Sequence, residues 1–242
     1  MMKRPRTFSK RILKFRKEEC MKLIAFYGAS ETGKTKAIGK IVKKLKNVTV
    51  VKLAHAKLSF DKHGKDSERL LKSGAGMVVT LGEKETVLHS PERWSIEKVL
   101  SFVNSEYVIF EGNPDFPMPK VYFGGKENID ELTVAVAGED FDPGDEEELV
   151  NIVINLSLPP IPNLNCGLCG ATCKDIVREE IERKNGYSKC VVLRSFLKVK
   201  LREKEIPLMP FIQGMIRDSL IGMLKHLKGF EGHGRVEIEF NL

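Results

Sequence analysis

At positions 28–35 the chain reads Gly28-Ala29-Ser30-Glu31-Thr32-Gly33-Lys34-Thr35. This fits G-x-x-x-x-G-K-[ST], a loop whose backbone amides cradle phosphate oxygens. The run before it, Lys22-Leu23-Ile24-Ala25-Phe26-Tyr27, predicts a short buried strand. After it, Ile38, Ile41, Val42 and Leu45 recur at helical spacing and predict a helix from Lys36 to Leu45. Strand, glycine-rich loop and helix in that order aim the loop amides and the positive end of the helix dipole at one anion. Gly28 and Gly33 permit backbone conformations that a side chain would block. Gly28, Ala29, Ser30, Glu31, Thr32, Gly33, Lys34 and Thr35 are therefore candidate nucleotide-binding residues. Lys34 would reach the β- and γ-phosphates, and the Thr35 hydroxyl would ligate Mg²⁺.

With 242 residues there is room for one large or two modest domains, each with its own core. The composition, 42% hydrophobic and 30% charged, is that of a globular protein. No apolar run approaches the roughly 18 residues of a membrane helix, so no membrane partner is expected. Net charge is +7, but residues 1–20 alone hold eight Lys or Arg against Glu18 and Glu19. The rest is about neutral, which argues against a nucleic-acid partner. Residues 1–20 read as a basic extension outside the domain, and translation from Met21 is the favoured start. No apolar stretch follows the basic residues as a secretory signal requires, and a cytoplasmic location is expected. Four of the five cysteines are clustered, which points to an intracellular metal site rather than a disulfide framework.

Further along, Val48–Leu53, Tyr107–Gly112, Val121–Phe123 and Leu132–Val136 predict strands, and Met77–Leu81 with Glu85–Leu88 predict two more around Gly82. Ser67 reads as the cap of a helix ending at Gly74, and Ser95 as the cap of a helix over Ile96–Val103. Glu146–Leu156 is helical with an acidic first turn. The alternation predicts an α/β fold of the P-loop NTPase type, a mostly parallel sheet with helices on both faces. Ligands bind such sheets at the C-terminal ends of the strands. Leu158-Pro159-Pro160-Ile161-Pro162 cannot continue a helix. It separates a nucleotide-binding domain over 21–158 from a small α+β four-cysteine metal-cluster domain over 159–242. The second predicts helices over Lys174–Lys184 and Phe211–Leu227, and strands over 191–201 and Val236–Phe240.

A phosphate loop needs a second acid beside the metal, delivered by an apolar strand. Glu111, after Tyr107-Val108-Ile109-Phe110, is the candidate. In the polar segment after the second strand, Asp61 is a candidate Mg²⁺ carboxylate and Lys65 a candidate γ-phosphate contact; His55 reads as a structural hydrogen-bonder. Cys166, Cys169 and Cys173 follow C-x₂-C-x₃-C, and Cys190 follows after sixteen intervening residues, 174–189. Three thiolates on one loop with a distant fourth suit a [4Fe–4S] cluster; a structural Zn²⁺ is the alternative.

Beyond single motifs, three segments stand together: Gly28–Thr35, then Lys52 and His55 leading to Asp61-Lys62-His63-Gly64-Lys65-Asp66-Ser67, then Gly74-Ala75-Gly76. With Ile109-Phe110-Glu111-Gly112 and Pro117-Met118-Pro119-Lys120, residues 21–140 resemble the molybdopterin-guanine dinucleotide biosynthesis adapter family, MobB. The resemblance implies a GTP-binding, weakly hydrolysing accessory factor that forms a homodimer. Its expected partner is the molybdopterin guanylyltransferase or a molybdopterin-carrying enzyme. Two features differ from that family's pattern: Glu31 stands where small residues are usual, and Lys52-Leu53-Ala54-His55 replaces Lys-His. Residues 164–190 separately resemble a short four-cysteine Fe–S domain, with one residue fewer between the second and third cysteines. An ATP-dependent Fe–S cluster carrier or redox-coupled ATPase is the alternative function.

Overall fold

The computed structural model describes residues 21–54, 66–125, 129–195, 197, 199–201 and 204–229. His55, Asp61 and Lys65 lie outside the described residues, as do 1–20 and the strand expected at 236–240. The chain divides into two compact units between Pro160 and Ile161.

In the first unit, β1 (Lys22–Gly28) leads through the phosphate loop into α1 (Lys34–Lys44), then β2 (Val48–Lys52) and α2 (Asp66–Lys72). β3 (Val78–Leu81), β4 (Thr86–His89) and α3 (Ile96–Phe102) precede β5 (Tyr107–Glu111). β6 (Lys120–Phe123), β7 (Thr133–Val136) and α4 (Glu146–Leu156) complete it. Five strands form a parallel sheet in the order β2-β5-β1-β6-β7.

Each central strand buries both faces, because successive side chains alternate across the sheet. Ile24 and Phe26 of β1 join Tyr107 and Ile109 of β5 on one side, under Ala37, Ile38 and Ile41 of α1 and Leu149 and Val153 of α4. Leu23 and Ala25 join Val108 and Phe110 on the other, where Ile96 and Leu100 of α3 pack. The expected two-sided α/β architecture is therefore present. Burying each large side chain contributes about 1.5–3 kcal/mol. Leu158 exchanges two backbone hydrogen bonds with Leu23, at 2.7 and 3.2 Å, on the part of β1 that β6 does not reach.

β3 and β4 are the two strands expected around Gly82; among the described residues they pair with each other as an antiparallel hairpin outside the parallel sheet. Two expectations change. Ser67 is the second residue of α2 rather than its cap; Asp66 and Glu68 place negative charge in the first turn, where the helix dipole favours it. α1 starts at Lys34, two residues earlier than the apolar spacing suggested, because polar Lys34 and Thr35 belong to its first turn.

The second unit holds α5 (Cys173–Ile181), α6 (Gly186–Lys189), the hairpin β8 (Val199–Leu201) with β9 (Lys204–Ile206), and α7 (Pro210–Leu224). A capping box fixes the start of α5: Thr172 Oγ1 accepts from the Asp175 N–H at 3.1 Å, and Asp175 accepts from the Thr172 N–H at 3.0 Å. The helix stops at Ile181, short of Lys184, because Arg183 and Asn185 take φ of 59° and 54°. Nor does a strand run over 191–201. Arg194 N–H donates to Cys190 O (3.2 Å) and Ser195 N–H to Val192 O (3.1 Å), so residues 191–195 curl, and among the described residues the strand is β8, Val199–Leu201. On α7 the buried residue is Gln213, whose Nε2 donates to Leu208 O at 2.8 Å.

Candidate functional site

The loop leaves β1 at Gly28, with φ +134°. A Cβ there would lie 1.9 Å from the carbonyl oxygen of Phe123 on β6. Glycine is thus required first by close strand packing. Gly33, φ +92°, precedes α1, and no side chain caps that helix and no acid lies in its first turn. Its first N–H groups and its dipole are consequently open to an anion. Thr32 Oγ1 donates to Ala29 O at 2.9 Å and braces the loop across its mouth. Glu31 is exposed and takes φ 63°, left-handed for a side-chain-bearing residue.

Lys34 Nζ spans this loop, donating to Gly28 O and Thr32 Oγ1, each at 3.1 Å, and to Ala29 O. Its pKa is held below that of an ordinary lysine, chiefly by burial. The Glu111 carboxylate opposes that shift and the Lys52 charge adds to it. The parallel register sets Glu111, last residue of β5, beside Phe26 on one neighbour and Lys52 on the other. There Thr35 Oγ1 donates to Glu111 Oε1 at 2.5 Å, and Lys52 Nζ lies 3.4 Å from the same oxygen. Lys34, Thr35 and Glu111, all expected from the sequence, therefore converge at the C-terminal ends of β1 and β5. A hydroxyl and a carboxylate are hard oxygen donors suited to Mg²⁺. Lys52 as a partner of Glu111 was not foreseen, since strand register is not written in a single sequence.

Behind the loop lies a second unforeseen network. Lys120, 4% exposed, donates from Nζ to Asn113 Oδ1 at 2.7 Å and Asp130 Oδ2 at 2.8 Å. Asp130 Oδ1 accepts from Leu132 N–H, and Asp130 N–H donates to Tyr27 Oη at 2.7 Å. Tyr27 Oη also shares a 2.7 Å hydrogen bond with Thr133 Oγ1. The residue before Gly28 is in this way tied to the segments preceding and opening β7.

In the second unit, Cys166, Cys169, Cys173 and Cys190 are free thiols lining one pocket, with Leu164, Ile176 and Val192 among its walls. Cys173 begins α5. Its N–H donates to Asn165 Oδ1 at 2.9 Å, and Asn165 N–H points at its Sγ from 3.4 Å. Burial raises the Cys173 pKa, the Asn165 N–H moderates that, and the other three cysteines raise it further. A donor set made only of thiols matches thiophilic metals and clusters. Among the described residues, no three His, Cys, Asp or Glu side chains are arranged as they would be around a bound metal ion. Also among the described residues, no helix is long and apolar enough to cross a membrane.

Residues 23–137 match the family model described as MobB, molybdopterin guanine dinucleotide synthesis protein B. A Methanocaldococcus jannaschii protein, provisionally named as a molybdopterin-guanine dinucleotide biosynthesis adapter, is 27% identical over 234 residues, 92% of this chain and 98% of its own. That span carries the similarity past Pro160 into the second unit. The Haemophilus influenzae molybdopterin-guanine dinucleotide biosynthesis adapter protein is 28% identical over 130 residues, 48% of this chain and 73% of its own. Among solved structures, Bacillus subtilis MobB is similar at a TM-score of 0.45 and 21% identity, covering 56% of this chain and 98% of that one. The phosphate loop, Glu111 and Lys120 all fall within residues 23–137, the span that is similar to the MobB family model.

Proposed function

We propose that the chain is a GTP-binding adapter in molybdenum or tungsten cofactor biosynthesis, assisting the guanylylation of molybdopterin to its guanine dinucleotide form. The observation that carries this reading is the meeting of Lys34, Thr35 and Glu111 at one sheet edge inside the span similar to the MobB family model. Gly28–Thr35 hold the phosphates, Lys65 adds a cation, and Thr35 with Glu111 and Asp61 hold Mg²⁺. The ion neutralises phosphate charge when bound. Hydrolysis is slow at most. Its partner is a molybdopterin guanylyltransferase or a molybdopterin-carrying enzyme, and the protein works in the cytoplasm as a homodimer. Exposed Val79, Leu81, Val87 and Leu88 on the β3–β4 hairpin support self-association, since a two-stranded hairpin is marginal alone.

In this reading residues 21–158 are the nucleotide domain, and 159–242 hold a [4Fe–4S] cluster on Cys166, Cys169, Cys173 and Cys190, with Zn²⁺ as the alternative. Four free cysteines around one apolar pocket favour that assignment. The same observation favours a second reading, an ATP-dependent Fe–S cluster carrier or redox-coupled ATPase. The test is to titrate GTP and ATP, and then to add the protein to a purified guanylyltransferase with molybdopterin. Preference for GTP and faster dinucleotide formation support the adapter. Preference for ATP, with turnover that responds to cluster reduction, supports the second reading instead.

A further inference from the structure

Glu111 Oε1 serves two elements at once, Thr35 Oγ1 at 2.5 Å and Lys52 Nζ at 3.4 Å. Lys52 closes β2 in register with Glu111, so its Cα is fixed beside the site while its side chain is 64% exposed. The Glu111 side chain is only 13% exposed, so it is the solvent-exposed ammonium end of this 3.4 Å pair that is free to exchange partners. A lysine ammonium on a four-carbon stem carries three donors and can turn from one acceptor to another. Its charge is already felt at Lys34, the residue placed on the phosphates.

A divalent ion bound between Thr35 and Glu111 competes with Lys52 for Oε1. We propose that Lys52 is a specificity-determining residue of the nucleotide site: it neutralises Glu111 until a divalent ion does so, and then contacts the terminal phosphate of a nucleoside triphosphate. The reading rests on the phosphate-loop site proposed above. Its consequence is discrimination. A triphosphate presents one more charged group than a diphosphate, and a second ammonium beside Lys34 rewards that difference.

The test measures GTP and GDP dissociation constants, with Mg²⁺ and with excess EDTA, for the full chain and for Lys52→Met and Lys52→Arg. One charge-assisted hydrogen bond corresponds to roughly tenfold in affinity. With Mg²⁺, Lys52→Met is expected to weaken GTP about tenfold and to leave GDP within about twofold, and Lys52→Arg to retain most of the GTP preference. In EDTA the variant and the parent should differ little for GTP. An equal loss for GTP and GDP would overturn the proposal, as would an unchanged GTP affinity in Lys52→Met. Should the parent chain bind neither nucleotide, the phosphate-loop reading itself fails, an outcome distinct from a parent that binds and a variant that matches it.

Discussion

Replacing Lys120 with methionine removes an ammonium from a place where water cannot substitute for it. The Lys120 side chain is 5% exposed and that of Asp130 17%, with Nζ 2.8 Å from Oδ2 and 2.7 Å from Asn113 Oδ1. Methionine fills similar volume, so the dominant loss is the cation facing a largely buried carboxylate. Removing one partner of a buried pair costs about 3–5 kcal/mol. That is a large share of the roughly 5–15 kcal/mol that holds a domain folded. Taking an m-value of about 2 kcal/mol/M, the urea midpoint should fall by about 2 M. The single tryptophan reports this unit alone: Trp94 stacks on Phe102 at 4.9 Å, and both precede Pro160. Its fluorescence through a urea titration is the assay. The double variant Lys120→Met/Asp130→Asn, which removes both charges, should recover about half the loss. A midpoint shift below about 0.5 M in Lys120→Met would refute the reasoning, because it would mean the carboxylate is satisfied without the lysine.

Other outcomes follow from single features. Gly28→Ala puts a Cβ 1.9 Å from Phe123 O at φ +134°, and should cost at least about 3 kcal/mol in the same titration. Glu31→Gly relieves a left-handed residue worth about 1–2 kcal/mol, offset by roughly 0.5–1 kcal/mol of glycine entropy; it should leave stability level or slightly raised. The same change removes a negative charge from the phosphate loop and should tighten GTP binding by about threefold, read by calorimetric titration. In α5, Thr172→Ala removes a capping box and should lower stability by about 1 kcal/mol in a thermal melt. The Asp175 carboxylate is held below its usual pKa by the Thr172 hydroxyl and N–H, with Arg178 adding to it. Its contribution is therefore present at neutral pH and lost as pH falls below about 4, so the cost of Thr172→Ala should shrink there. On the proposed four-thiolate cluster assignment, Cys173→Ser should abolish iron and acid-labile sulfide in anaerobically purified protein.

The parallel sheet was legible because its strands are short apolar runs separated by helical spacing, which is what burial on both faces demands. Glu111 was legible for a related reason: a carboxylate closing such a run has to emerge at the sheet's C-terminal edge. Lys52 was not, because its pairing with Glu111 depends on β5 lying between β2 and β1, and strand order leaves no local trace. Lys120 read only as part of a proline-rich segment. Its partners Asn113 and Asp130 come from loops on either side of β6, brought together by chain reversal. At 191–195 the alternation of apolar residues imitated a strand, but backbone hydrogen bonds back to Cys190 and Val192 coil it beside the cysteine pocket. At Gly28 the motif explained only the backbone conformation, φ +134°; the approach of Phe123, which alone excludes a side chain there, depends on strand order.

Equilibrium titration of Mg²⁺–GTP against the full chain and its Lys34→Ala variant bears most directly on the proposed nucleotide site. With the ammonium that spans Gly28, Ala29 and Thr32 removed, affinity should fall by about a hundredfold, two charge-assisted hydrogen bonds' worth, while the urea midpoint stays nearly unchanged. An alanine variant that binds GTP as tightly as the parent would contradict the account.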